Sequence, residues 1–309
     1  MTKRDFLKIA DLSLAEARDV FGLSRAMKSA EKGSHRKVLA GRSVAVVLEK
    51  ASTRTRVSFE VGVAQLGGHP VVLSTEGSQL GRGEPIKDTA RVLSGYCDAI
   101  AFRTFATARL HEMASAATIP VLNALSDDAH PIQVLCDVFT IEEVFRREGI
   151  ADGIAGRKIA FVGDCSSNMA RSWVEAAQIF DFQLALAAPK GYFPPSYEVE
   201  SANGNVSLHS DPRRAVEGAD VVNTDVWASM GQEAEYKARL AAFAGFTVDD
   251  KMLAGAEKHG IVLHCLPAHR GEEIDEATFE GPRSRVWEQA ENRLHVQKGL
   301  LCFLLGVTP

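Results

Sequence analysis

Short apolar runs alternate along the chain with longer segments whose apolar residues recur at helical spacing. A short apolar run between turn residues predicts a buried strand, and apolar positions three and four residues apart predict a helix. In the first half, strands are predicted at 43–48, 69–74, 98–102 and 119–123, and helices at about 13–32, 53–66, 86–96, 106–116 and 130–148. This order predicts a parallel sheet flanked by helices.

The second half repeats the pattern after a glycine-containing segment at 149–156, which we interpret as a hinge. Strands are predicted at 158–163, 183–187, 206–209, 220–224 and 260–264, and helices at about 169–180, 211–217 and 285–305. A length of 309 residues suggests about two domains. The fold class predicted from the pattern is therefore α/β, with two domains that each contain a parallel β-sheet flanked by helices.

Composition narrows the classes of function. The net charge is −5, which does not indicate a nucleic-acid-binding surface. The N-terminus lacks the apolar core of a signal peptide, and no apolar run approaches the roughly 18 residues of a membrane span. The five cysteines are scattered and form no zinc-binding pattern, so reduced thiols in the cytoplasm fit best. We expect a cytoplasmic protein with no membrane partner, no nucleic-acid partner and no metal.

The segment Ser52-Thr53-Arg54-Thr55-Arg56 follows the first predicted strand and opens the next helix. Ser52 suits the N-cap position, and free backbone N–H groups point outward at a helix N-terminus. Together with the hydroxyls and the Arg54 guanidinium, they offer the donors that a phosphate needs. A capped helix with solvated arginines is the simpler interpretation, and for an isolated run of this kind it is the more common one.

Further polar residues follow neighbouring strands of the first half. Arg103 ends the third predicted strand, and His130-Pro131-Ile132-Gln133 opens the helix after the fourth. Ligands of parallel α/β sheets bind at the carboxyl ends of strands. One pocket there would gather these residues with the Ser52–Thr55 turn.

Two predicted strands of the second half are followed or ended by residues that could bind or activate a cation. Asp225 opens the loop Asp225-Val226-Trp227-Ala228-Ser229-Met230-Gly231, whose acid, hydroxyl and glycine suit an ammonium group. Cys265 ends the last strand, where a buried structural thiol and a functional one are about equally expected. The loop after 158–163 has only the first glycine of a dinucleotide fingerprint, which opposes an NAD-dependent oxidoreductase. The residues alone predict an enzyme that joins a phosphate-bearing substrate to an amine, and they leave the reaction unnamed.

The motifs together resemble those of the aspartate/ornithine carbamoyltransferase family. The segment 52–56, Arg103 and His130-Pro131-Ile132-Gln133 resemble its carbamoyl-phosphate signature, and Ile132 stands where many relatives carry Cys or Thr. The loop 225–231 and His264-Cys265-Leu266-Pro267 resemble the loops of the ornithine-using branch. The resemblance covers essentially the whole chain. It implies transfer of a carbamoyl group to the side-chain amine of L-ornithine, giving L-citrulline and phosphate, as in arginine biosynthesis, with the metabolic direction left open.

The resemblance also implies roles for individual residues. Arg103, His130, Asp225 and Cys265 are implied as catalytic. Carbamoyl phosphate would be bound by Ser52, Thr53, Arg54, Thr55, Gln79, Arg103, His130, Gln133, Cys265, Leu266 and Arg293. Ornithine would be bound by Asn168, Asp225, Ser229 and Met230. Donors aimed at the carbamoyl oxygen would stabilise the charge that develops during amine attack. The reaction so implied requires neither a metal nor a cofactor.

The family further implies an assembly and a division of labour. We expect a homotrimer with shared active sites, in which Gln79 reaches the phosphate of the neighbouring subunit. Residues 1–148 would bind carbamoyl phosphate, together with a C-terminal helix at about 289–309 that returns to the first domain, and 149–288 would bind ornithine. The alternatives are a carbamoyltransferase for putrescine or an acetylated ornithine, and a non-catalytic regulator on the same fold. The intact loop 225–231 and the intact 52–55 turn oppose them.

Overall fold

The computed structural model describes residues 3–30, 37–75, 83–202, 204–228 and 235–308. These residues form two compact units. Unit 1 comprises 1–135 with 292–309, and unit 2 comprises 136–291. The predicted return of the C-terminal helix to the first domain is confirmed, because residues from Asn292 onward belong to unit 1. None of the helices in the described part of the chain is long and apolar enough to cross a membrane.

Unit 1 is built on a four-stranded parallel sheet in the order β2-β1-β3-β4. Its strands are β1 (Ser43–Leu48), β2 (His69–Ser74), β3 (Ala99–Arg103) and β4 (Val121–Leu125). Its helices are α1 (Leu14–Lys28), α2 (Thr53–Gln65), α3 (Ile86–Tyr96), α4 (Thr107–Ala116), the start of α5 (Pro131–Arg147) and the end of α12 (Val286–Leu304), with a 3₁₀ turn at Ile9–Asp11.

The central strand of unit 1 is buried on both faces. Residues 44–48 of β1 are almost fully buried, which is the continuous apolar run expected of a strand covered by helices on both sides. Val47 packs with Ile100 and Phe102 of β3 and with Leu93 and Ala90 of α3 in one apolar cluster. This core fixes the carboxyl ends of β1 and β3, which precede the Ser52–Thr55 turn and Arg103.

Unit 2 contains a five-stranded parallel sheet in the order β7-β6-β5-β8-β9. Its strands are β5 (Lys158–Val162), β6 (Gln183–Ala187), β7 (Val206–His209), β8 (Val221–Thr224) and β9 (Ile261–His264). Its helices are α6 (Asn168–Phe180), α7 (Ser196–Ser201), α8 (Pro212–Val216), α9 (Tyr236–Ala242), α10 (Asp250–Leu253) and α11 (Glu276–Phe279), with the remaining parts of α5 and α12. The prediction of two parallel sheets flanked by helices is confirmed.

Some predicted element bounds were wrong. Helix α1 ends at Lys28 with Ser29 as its C-cap, whereas the prediction extended to residue 32. Strand β4 begins and ends two residues later than predicted, because its backbone continues through Asn123 to Leu125 beside Arg103 of β3. The short helices α7, α9, α10 and α11 were missed, since four to seven residues carry too little periodicity to be recognised.

Candidate active site

The first turn of α2 forms a capped helix start at the end of β1. Ser52 has extended backbone angles, and its Oγ accepts a hydrogen bond from the Thr55 amide at 3.3 Å, as predicted for an N-cap. Thr53 is exposed and Arg54 is partly buried, whereas Thr55 is fully buried. The turn thus offers backbone N–H groups together with exposed and buried polar side chains at the positive end of the helix dipole.

Two arginines converge on the buried Thr55 hydroxyl. Nη1 of Arg103, at the end of β3, lies 3.5 Å from Thr55 Oγ1, and Nη2 of Arg293, in α12, lies 3.2 Å from it. Ser52 Oγ is 3.0 Å from the same oxygen. Two guanidinium charges held this close repel each other, and an anion between them removes that repulsion. The arrangement therefore favours a small anionic ligand.

His130 is 4% exposed and immediately precedes α5. Burial, followed by the charges of Arg293 and Arg103, lowers its pKa well below the ordinary histidine range. The imidazole is therefore neutral at neutral pH and carries one N–H, so it can donate one hydrogen bond without adding a third positive charge. Gln133 is buried on the first turn of α5, and its backbone N–H donates to the His130 carbonyl at 3.1 Å.

In unit 2, Asp225 and Cys265 meet at the ends of neighbouring strands β8 and β9. Cys265 Sγ donates a hydrogen bond to Asp225 Oδ1 at 3.1 Å, and the Val226 amide donates to the same oxygen at 2.8 Å. Burial raises the pKa of Asp225 above its ordinary value, although the hydrogen bonds from Cys265 and the Val226 amide oppose the rise. A carboxylate of raised pKa is a better acceptor for an ammonium proton than an ordinary aspartate.

Sequence reasoning assigned no role to His264 and Glu273, which support the Cys265–Leu266 segment. Both side chains are fully buried, and His264 Nε2 lies 3.0 Å from Glu273 Oε1. The Leu266 amide donates to His264 Nδ1 at 2.9 Å, so the ring proton must be on Nε2 and point to Glu273. Leu266 has a positive φ of 64°, an uncommon angle for a branched side chain, and this contact holds its amide in place. The only sequence signal was the position of His264 beside Cys265.

Asn168 is the first residue of α6 and is partly buried behind the N-cap Ser167, whose Oγ accepts from the Ala170 amide at 3.3 Å. The preceding loop contains Asp164, which is tied to Arg239 of α9 by a buried ion pair of 2.6 Å. Sequence reasoning missed Asp164 and Arg239, because the two residues are 75 positions apart and belong to no motif.

Three predicted site residues, Gln79, Ser229 and Met230, lie outside the described residues. Arg56, which the sequence left open between ligand and scaffold, is exposed and pairs with Glu60 at 3.3 Å, one helical turn onward. Leu266 is partly buried. In unit 1, Ser52, Arg103 and Arg293 gather around Thr55. In unit 2, Asp225 and Cys265 meet directly, and Asn168 lies at the start of α6.

Two groups of side chains in the described part of the chain come close enough to share a metal ion. They are Asp225, His264 and Cys265, and His269, Glu272 and Glu273. In the first group, Cys265 already donates to Asp225 and His264 Nδ1 already accepts from Leu266. In the second, His269 Nδ1 lies 3.5 Å from Glu272. Contacts among these side chains and to the backbone account for both groups.

Comparison with known proteins covers both halves of the chain. The profile of the aspartate/ornithine carbamoyltransferase carbamoyl-P binding domain matches residues 4–143, and that of the Asp/Orn binding domain matches residues 155–304. The ornithine carbamoyltransferase of Sorangium cellulosum is 68% identical over 309 residues, covering 99% of each chain. That of Pelobacter propionicus is 51% identical over 308 residues, covering 98% of this chain and 99% of the relative.

Solved structures agree with the sequence comparisons. The ornithine carbamoyltransferase from Pyrococcus furiosus superposes with a TM-score of 0.90 at 41% identity, covering 99% of this chain and 98% of that one. The structure of the enzyme from Burkholderia thailandensis gives 0.88 at 41% identity, covering 98% of both chains. The predicted resemblance is confirmed over the full length, and the chain belongs to the aspartate/ornithine carbamoyltransferase family.

Proposed function

We propose that the chain transfers the carbamoyl group of carbamoyl phosphate to the side-chain amine of L-ornithine, giving L-citrulline and phosphate. The observation that carries the proposal is the convergence of Arg103 and Arg293 on Thr55 beside a neutral His130. The curated relatives reported above are named ornithine carbamoyltransferases and match almost the whole chain. These matches confirm the predicted carbamoyltransferase activity, whereas the roles of individual residues given below are our proposals.

The unit 1 cluster is proposed to bind carbamoyl phosphate in two parts. The phosphate would accept hydrogen bonds from the first turn of α2, namely from Ser52, Thr53, Arg54 and Thr55. The carbamoyl oxygen would face Thr55, Arg103 and His130, where negative charge develops as the amine attacks the carbon. Donors fixed in advance lower the energy of that transition state more than the energy of the bound substrate. Gln133 would hold the carbamoyl NH₂ group, and Arg293 would add a further donor.

Neutral His130 suits this role. A protonated imidazole between two arginines would repel them, whereas a neutral ring donates one hydrogen bond to the developing oxyanion. Since its burial and both arginines favour the neutral form, His130 acts as a hydrogen-bond donor and not as a general acid with a pKa near 7.

The unit 2 cluster is proposed to bind ornithine. Asn168, Ser229 and Met230 would hold its α-amino acid end, and Asp225 and Cys265 would orient the side-chain amine. An alkylamine is largely protonated at neutral pH and attacks only as the free base. Asp225 has its pKa raised by burial and accepts from Cys265, so it is placed to receive an ammonium N–H and aid proton loss. The phosphate leaving group can take up the proton. Cys265 and Leu266 are further proposed to contact carbamoyl phosphate.

The chain is proposed to act as a cytoplasmic homotrimer in which Gln79 completes the site of a neighbouring subunit. Two apolar side chains on α2, Val57 and Val61, are 49% and 39% exposed on the helix that begins at the phosphate-binding turn. Apolar side chains one turn apart suit contact with another subunit better than contact with water. The five cysteines form no disulfide, in keeping with a reducing compartment. The division into a carbamoyl-phosphate domain (1–148 with 289–309) and an ornithine domain (149–288) likewise remains a prediction.

An amine screen tests the proposed function. The purified protein is incubated with carbamoyl phosphate and one of L-ornithine, L-aspartate, putrescine or N-acetyl-L-ornithine, and both phosphate and the ureido product are measured. We expect amine-dependent phosphate release with L-ornithine and an equal amount of citrulline. Preferential turnover of another amine would contradict the substrate assignment, and no turnover with any amine would contradict the activity.

A further inference from the structure

Arg239 is an almost fully buried charge outside both proposed substrate clusters. Its side chain is 8% exposed, and Nη1 lies 2.6 Å from Oδ2 of Asp164, whose side chain is 7% exposed. The guanidinium lies over the ring of Tyr192 at 5.2 Å. Burial opposes its charge, but the hydrogen bond and the charge of Asp164 raise the pKa of Arg239 above the ordinary value. Arg239 is therefore charged at every pH at which the enzyme works.

The same guanidinium nitrogen holds the backbone after β8. Nη1 of Arg239 donates to the carbonyl oxygen of Trp227 at 2.9 Å. The Trp227 indole stacks on Phe243, one turn beyond Arg239 in the chain, with ring centroids 5.4 Å apart. Trp227 follows Asp225 by two residues, and the Val226 amide between them donates to Asp225 Oδ1. The Trp227 carbonyl held by Arg239 is thus one residue from the Val226 amide that orients the Asp225 carboxylate.

Asp164 connects Arg239 to the loop that precedes α6. Oδ1 of Asp164 accepts from the amide and the hydroxyl of Ser166 at 2.9 and 2.6 Å, while Oδ2 receives Arg239. Ser167 is the N-cap of α6, and Asn168 is its first residue. Both oxygens of the Asp164 carboxylate are therefore engaged. One accepts from Ser166, two residues before Asn168, and the other accepts from Arg239, which also binds the backbone two residues after Asp225.

We propose that Arg239 is a positioning residue for ornithine, because it links the end of β8, which precedes Asp225, to the loop that leads into Asn168 at the start of α6. This inference rests on the proposed function, in which these two residues bind opposite ends of ornithine. A bound ligand that spans two loops needs both at a fixed separation, and small displacements of such groups reduce turnover steeply. Arg239 touches no reacting atom in this scheme and acts only through Asp164 and Trp227.

A substitution series separates positioning from simple stabilisation. Arg239→Met leaves Asp164 buried without its charge partner, which is expected to destabilise unit 2. The double variant Arg239→Met/Asp164→Asn removes both charges and still lacks the bond to the Trp227 carbonyl. We expect the KM of ornithine to rise about tenfold or more in both, while the Kd of carbamoyl phosphate, measured by calorimetry, stays within about twofold of the wild type.

The matched control is Arg171→Met. Arg171 also forms an ion pair, with Glu198 at 2.5 Å, and it lies on α6 itself, but its partner belongs to α7. We expect this variant to have a lower melting temperature and an ornithine KM within about twofold of the wild type. An ornithine KM near that of the wild type in the folded double variant would overturn the inference, as would an equal loss of affinity for both substrates.

A second readout needs no turnover. The chain has three tryptophans, so 5-fluorotryptophan labelling gives three ¹⁹F resonances, and Trp227→Phe identifies the one from Trp227. In the substrate-free protein, Arg239→Lys is expected to shift or broaden the Trp227 resonance, because one ammonium cannot reproduce the planar donors of the guanidinium. The Trp173 and Trp287 resonances should not move. An unchanged Trp227 resonance would overturn the positioning role, whereas a wild type that makes no citrulline would overturn only the proposed function.

Discussion

The Thr55 hydroxyl and the Arg293 guanidinium lie 3.2 Å apart although 238 residues separate them in the chain. Thr55 belongs to the first turn of α2, and Arg293 to the part of α12 that packs in unit 1. Lys298 Nζ, further along α12, donates to Gln65 Oε1 at the end of α2 at 2.9 Å. A side chain at Gly62 would meet Lys298 at 3.3 Å, so glycine permits the close approach of the two helices. The C-terminal helix thus delivers Arg293 to the anion-binding turn.

The Thr55 hydroxyl can be removed without changing the volume of the side chain. In Thr55→Val the two arginines keep their charge but lose the oxygen on which they converge, and a buried methyl group replaces a polar one. We expect kcat/KM for carbamoyl phosphate to fall by roughly 100-fold, as for loss of one preorganised donor at an oxyanion. Thr55→Ser, which keeps the hydroxyl, should stay within about threefold of the wild type. Equal losses in the two variants would show that packing, and not the hydroxyl, matters.

Arg54 and Arg56 offer a matched pair of arginines in one helical turn. Arg54 is partly buried and proposed to bind phosphate, whereas Arg56 is exposed and pairs only with Glu60 among the described contacts. Arg54→Ala should reduce turnover by roughly 100-fold or more through loss of a charge-assisted contact to phosphate. Arg56→Ala should change turnover less than twofold and unfolding free energy by under about 0.5 kcal/mol, since exposed ion pairs contribute little. Steady-state kinetics with varied carbamoyl phosphate check both, and near-normal turnover in Arg54→Ala would contradict the assignment of the turn.

The sequence predicted the parallel sheets because each strand is a short apolar run that ends in a turn. Ser43–Leu48, His69–Ser74 and Gln183–Ala187 were predicted with the observed bounds, since their flanking turn residues are unambiguous. Strand β4 was misplaced because the buried Asn123 resembles a turn residue, although its side chain donates to the Leu7 carbonyl inside the fold.

The site residues that belong to a sequence motif were predicted from the sequence. The residues that hold those motif residues in place were not predicted. Arg103 and His130 were singled out because they follow strands, and their pairing with Arg293 came only from the family resemblance. Arg239 acts through Asp164, which is 75 positions earlier in the chain, and such a contact leaves no periodic or local signal. Glu273 is nine residues from its partner His264, and no helix or strand spacing links the two.

Asp225→Asn tests the separation of the two substrate roles. Asparagine keeps the shape and still accepts a hydrogen bond from Cys265, but it lacks the charge that attracts an ammonium group. We expect kcat/KM for ornithine to fall by roughly 100-fold, and calorimetry should show a Kd for carbamoyl phosphate within about twofold of the wild type. Equal weakening of both substrates would contradict the division between the clusters.

The neutral form of His130 predicts a dependence of stability on pH. Its pKa in the folded protein is lowered, so below about pH 6.5 the unfolded chain binds a proton that the folded protein does not. Above that pH, His130 is neutral in both states and does not affect the free energy of unfolding. The free energy of unfolding decreases as the pH falls from 6.5 toward the pKa of His130 in the folded protein. Between pH 7.5 and 5.5, the wild type should lose about 1 kcal/mol more unfolding free energy than His130→Asn, measured by urea denaturation. Identical losses would show that folding does not lower the pKa of His130.

The shared active site can be tested by mixing subunits that are defective at different positions. Gln79→Ala and Arg54→Ala chains are each expected to be nearly inactive as homotrimers. If Gln79 serves the neighbouring subunit, a mixed trimer contains some sites with both wild-type residues, and dissociation followed by reassociation should restore part of the activity. With random assembly of equal amounts, about one site in four combines an intact Arg54 with a neighbour's intact Gln79, so recovery of roughly a quarter of the wild-type rate is expected.

The control mixes Gln79→Ala with a Gln79→Ala/Arg54→Ala double variant, which cannot form an intact site. Native mass spectrometry must show mixed trimers in both samples, and no recovery in the first would place Gln79 outside the neighbour's site.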